Sequence, residues 1–105
     1  MSEESIFIPI NSISEPACNW VLSCFGERGI FRVIDQQNIG DVFSCTYAFA
    51  DSNRIDWPED FFVSLKQQEV YLCFYSATGQ QRESVIQLLT KCLAEVGAEG
   101  RFEEL

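Results

Sequence analysis

Chemistry in this chain must come from carboxylates, thiols and hydroxyls, because the sequence holds no histidine. That removes Ser-His and Cys-His nucleophile pairs, and with them the commonest general base and metal ligand. Five cysteines remain: Cys18, Cys24, Cys45, Cys73 and Cys92. A reactive thiol needs a cationic neighbour to lower its pKa. Only Cys24 lies close in sequence to an arginine, Arg28, one helical turn further on. The plainer reading of Cys24 is a small apolar residue at the edge of a helix stripe, in keeping with the burial habits of cysteine. No C-x-x-C pair occurs and the cysteines are widely spaced, so the sequence shows no zinc motif. "DSNRIDWPED" lacks the spacing and the glycine of a calcium loop. "SATGQQRES" offers one glycine before a helix but neither the glycine pattern nor the lysine of a P-loop, and reads as a capped helix start. Glu59 with Asp60, and Glu103 with Glu104, are neighbours in the chain rather than carboxylates opposed across a cleft. No catalytic residue, metal or cofactor is expected.

One stretch concentrates charge. "DSNRIDWPEDFF", residues 51–62, holds Asp51, Asp56, Glu59 and Asp60 around Trp57. Two readings stand side by side. Pro58 suits a first helical position, Glu59 and Asp60 would then complement the helix dipole, and Trp57 would pack as a staple. Alternatively, Asp51, Asp56, Trp57, Glu59 and Asp60 form a surface that docks a basic protein, with carboxylates for steering and the tryptophan as an anchor.

The global balance bears on that choice. The 105 residues carry 16 acidic and 7 basic side chains, a formal net charge of −9, while 47% of residues are hydrophobic. The chain is therefore long enough and apolar enough for one core, a single domain over residues 1–105. Its field repels phosphate backbones and anionic lipid, which argues against nucleic acid or membrane as partners. A basic protein is the complementary partner. "MSEESIFIPI" has neither the charge nor the apolar length of a secretory signal or a membrane span. Odd in number and set in apolar segments, the cysteines read as buried thiols of a reducing compartment, so a cytoplasmic location is expected.

These side chains are positioned by elements that the pattern foreshadows. "SIFIPI" (5–10) alternates as a first strand. Residues 14–29 form an amphipathic helix, with Ser14 as cap, Pro16 in the first turn, and Cys18, Val21, Leu22 and Phe25 on one stripe. Strands follow at 30–35 and 41–50, joined by the loop "QQNIG". "PEDFFVSLKQQ" (58–68) predicts two or three helical turns, and "VYLCFYS" (70–76) a central strand. Thr78 and Gln81 have capping-box spacing before a stripe of Val85, Leu89, Cys92, Leu93 and Val96, which Gly97 ends. "RFEEL" predicts a short edge strand. The fold class is α+β: a mostly antiparallel sheet with helices packed on one face, in a ferredoxin-like sandwich. The expected core is Val21, Leu22, Phe25, Phe43, Tyr47, Leu72, Phe74, Leu89 and Leu93.

The last third, "VYLCFYSATGQQRESVIQLLTKCLAEVGAEGRFEEL", resembles the immunity proteins of bacterial toxin systems, including contact-dependent growth inhibition. What they share is an aromatic-rich strand, an amphipathic helix, a glycine and a short acidic tail. The resemblance implies a stoichiometric inhibitor that binds a cognate toxin domain, often a nuclease, and blocks its active site or its target-binding surface. It implies no position-by-position set of binding residues. A small regulatory or ligand-binding α+β module, homodimeric through a sheet edge, is the alternative. An enzyme working through carboxylates or cysteine stands behind both.

Overall fold

The computed structural model describes residues 3–50 and 58–105. Its elements run β1 (Glu3–Phe7), α1 (Glu15–Arg28), β2 (Phe31–Ile39), β3 (Val42–Phe49), β4 (Phe61–Leu65), β5 (Val70–Phe74), α2 (Gly79–Glu95) and β6 (Phe102–Glu104). The six strands make one sheet in the order β2-β3-β4-β5-β1-β6, with every neighbouring pair antiparallel.

Both helices end where local chemistry stops them. The Ser14 hydroxyl accepts from the Ala17 N–H at 3.2 Å, capping α1 with proline in its first turn. At α2 the Thr78 hydroxyl accepts from the Gln81 N–H at 3.1 Å, and the Gln81 side chain returns the bond to the Thr78 N–H at 2.9 Å. Beyond Val96, the Gly97 N–H reaches the Ala94 carbonyl and the Ala98 N–H the Leu93 carbonyl, each at 3.0 Å. That pairing is a Schellman motif, and Gly97 supplies its left-handed residue at φ 79°.

The core lies between the sheet and the two helices. Cys18, Val21, Leu22 and Phe25 of α1 and Val85, Leu89, Cys92 and Leu93 of α2 join one buried cluster with the inward residues of β1, β3, β4 and β5. Every residue of the expected core belongs to it. Phe61 is its hub: fully buried, its ring lies 5.0–6.1 Å from those of Phe25, Phe31, Tyr47, Phe49 and Phe74.

Three sequence expectations need correction. The helix read over 58–68 is strand β4, because Phe61, Val63 and Leu65 alternate with Phe62 and Ser64 and pair with β3 on one side and β5 on the other. Ladders on both sides pair the backbone of residues 61–65, which outweighs a favourable helix start. The ferredoxin-like order is not formed either. Its split βαβ units need parallel neighbours, whereas β2 to β5 here make an antiparallel meander and β1 inserts between β5 and β6. Finally, the supposed loop "QQNIG" is mostly strand. Ile39 pairs with Val42, and only Gly40 and Asp41 turn the chain. Gly40 has φ 63° and, among the described residues, no residue other than glycine takes positive φ, so the turn is of the II′ kind, matched to strand twist. Gly40→Ala is expected to cost roughly 1–2 kcal/mol in denaturant unfolding, purely through backbone strain, since nothing lies within 4 Å of a Cβ built there.

Candidate functional site

Strand alternation gives the sheet two unlike faces. One is covered by both helices. On the other, residues line up in rows set by the register. The first row runs Asp35, Thr46, Phe62, Cys73, Glu4, and the second Gln37, Ser44, Ser64, Tyr71, Ile6, Glu103. Among the described residues no helix crosses these rows. Apolar and aromatic side chains occupy their middle, with Ile6, Phe62 and Tyr71 all half-buried, while the exposed carboxylates Asp35, Glu4 and Glu103 stand towards their ends.

The rows are also tied together. Tyr71 donates its hydroxyl proton to Glu4 Oε1 at 2.8 Å, and its ring lies 6.2 Å from that of Phe62. Burial, and then the bond to Glu4, push the Tyr71 phenol up, so it remains a protonated donor. At the sheet edge Arg101 pairs with Glu103 at 3.4 Å, while on the helix side Arg82 of α2 pairs with Glu3 at 2.9 Å. A shallow depression of about 260 Å3 lies beside this patch, lined by Phe62, Ser64, Lys66, Glu69 and Tyr71.

The acidic stretch fares unevenly. Asp51, Asp56 and Trp57 lie outside the described residues. Glu59 is half-buried. Asp60 is 2% exposed. Its Oδ2 accepts from the Phe49 N–H at 2.8 Å, its N–H donates to the Tyr47 carbonyl, and its own carbonyl accepts from Tyr75 and Ser76. Asp60 therefore knits the end of β3 to the start of β4 and the end of β5. Its carboxylate is thus held inside the sheet end, bonded to backbone, in this structure. The helix-start account of the same residues falls with the helix itself.

Sequence reasoning missed two further features. A groove of about 670 Å3 opens between the end of α1 and the start of α2, lined by Arg28, Phe31, Phe49, Gln81, Val85 and Leu88 among others. Between the same helices, Cys24 and Cys92 bring their sulfurs to 3.8 Å. The Cys92 thiol is pushed up to about 11 by burial and by its contact with Cys24. The Arg28 guanidinium binds Glu95 Oε2 at 2.6 Å. Cysteines 68 positions apart leave no spacing signal, so only the fold reveals the pair.

These features define a small α+β protein whose sheet is clothed on one side and presents an acid-flanked, partly aromatic face on the other. Among the described residues no helix is long and apolar enough to cross a membrane. No family model and no curated protein matches the chain. Among solved structures it is similar to a chain in the crystal structure of the toxic C-terminal tip of CdiA from Pseudomonas aeruginosa in complex with immune protein. The match covers 98% of this chain and 83% of that one, at 16% identity and a TM-score of 0.45.

Proposed function

We propose that this protein is an immunity protein of the contact-dependent growth inhibition type, which binds a basic toxin domain and neutralises it in the cytoplasm. The observation that carries the reading is the uncovered sheet face, where Ile6, Phe62 and Tyr71 stand between Asp35, Glu4 and Glu103 in a chain of net charge −9. An apolar, aromatic centre with a charged rim is the anatomy of a protein-binding patch. The excess of carboxylates would steer a cationic partner and, for a nuclease, stand in for the phosphates it binds. The protein then works as a stoichiometric binder rather than an enzyme.

Asp51, Asp56, Trp57 and Glu59 are proposed to contribute to partner binding as well. Changing Asp56 to Asn and Glu59 to Gln together is expected to slow association several-fold and flatten its salt dependence, with little change in dissociation. Stopped-flow mixing with the toxin domain reads both rates.

The direct test is co-expression with the C-terminal toxin domain of a large toxin protein, should the upstream gene encode one. Restored growth and a co-purifying 1:1 complex are expected. Growth arrest with no complex would contradict the proposal.

A ligand-binding module is the second reading, favoured by the apolar groove between α1 and α2. The two separate cleanly, because the groove lies on the helix side. Filling it by Leu88→Trp would abolish binding of a groove ligand and leave toxin binding intact.

A further inference from the structure

We propose that Cys24, Cys92 and Glu95 form a binding site for a thiophilic divalent cation of the zinc class, with the fourth position open to solvent. One ligand atom from each residue lies within 4.8 Å of the other two. The two sulfurs are 3.8 Å apart. With zinc–sulfur bonds of about 2.3 Å, the edge of a tetrahedron between two thiolates is also about 3.8 Å. The thiols are thus already spaced as metal ligands, whereas a disulfide would need its sulfurs at about 2.0 Å. A neutral S–H···S contact holds the same spacing without metal.

The surroundings supply what such a site requires. Glu95 already accepts from Arg28 through Oε2, which orients the carboxylate as outer partners of metal ligands do. The charges also balance: two thiolates and one carboxylate offset the cation together with the Arg28 guanidinium. Cys92 is fully buried and Cys24 nearly so, while the Arg28 and Glu95 side chains are 39% and 36% exposed. A cation would enter past those two. Binding exchanges the two thiol protons for two metal–sulfur bonds, so two protons are released for each metal taken up. The titratable and charged groups at this point are Cys24 and Arg28 on α1 and Cys92 and Glu95 on α2. Bound between two helices, the ion would clamp α1 to α2.

The test is titration of the reduced, full-length protein with Cd2+ as a spectroscopic substitute, followed by displacement with Zn2+. A thiolate-to-metal charge-transfer band saturating at one equivalent is expected, with two protons released and a raised unfolding temperature. Cys24→Ser and Cys92→Ser should each abolish the band, Glu95→Gln should weaken binding about 10-fold, and Cys45→Ser should leave it unchanged. No band at one equivalent would overturn the proposal, as would a band that survives Cys24→Ser. So would finding Cys24 and Cys92 joined as a disulfide in freshly isolated protein. Because the wild-type titration stands alone, a variant that fails to fold does not decide the outcome. None of these readouts involves the toxin, so the metal site can fail while the immunity reading holds.

Discussion

Phe61→Ala should destabilise the protein by about 3–5 kcal/mol, the cost of emptying a fully buried aromatic site, whereas Phe62→Ala, one residue on, should cost far less. The difference lies in the pleat. Phe61 points to the helices and touches five other rings, so its loss leaves a cavity that none of them can fill without leaving its rotamer. Against a total stability of about 5–15 kcal/mol, the variant will be marginal. Phe62 points to the open face and keeps part of its surface in water. Its removal should instead weaken toxin binding by about 2 kcal/mol, as for a central aromatic anchor. Urea unfolding and binding calorimetry on both variants give four numbers. Equal stability losses would mean that the sheet is covered on both sides.

Asp60→Ala is the second large effect expected, a loss of about 1–3 kcal/mol, because the buried Phe49 N–H is left without its acceptor. Asp60→Asn keeps an oxygen in place and should lose less. Neither change should alter the rate of toxin association, since the carboxylate is turned into the protein. A slower association with unchanged stability would restore Asp60 to the docking surface.

Why Asp60 misleads is instructive. Pro58, Glu59 and Asp60 make a good helix start in isolation, and Phe61, Phe62 and Leu65 can be placed on a helical stripe. Residues 61–65 also alternate with period two, Phe61, Val63 and Leu65 on one side and Phe62 and Ser64 on the other. Only the ladders from β3 and β5 decide between these, and they lie in pairing with other strands rather than within the segment itself. The far half of β2 was hidden for another reason. As an edge strand open to water on most of its length, Gln36 to Ile39 shows no apolar alternation. By contrast, α2 announces itself locally. Its capping box, apolar stripe and closing Gly97 all act within the helix or a turn of its ends. The open face proposed for docking was half legible: the acid excess stands in the composition, but the rows that set Tyr71 beside Glu4 depend on register.

The central claim is that this face binds a basic protein. It is tested most directly by the association rate with the proposed toxin partner, measured from low to high salt for the wild type and for Phe62→Ala. The account predicts a rate that falls steeply with salt in both proteins, because charge steers the encounter. It also predicts faster dissociation in Phe62→Ala alone. A salt-independent rate, or a variant that dissociates like the wild type, would contradict it.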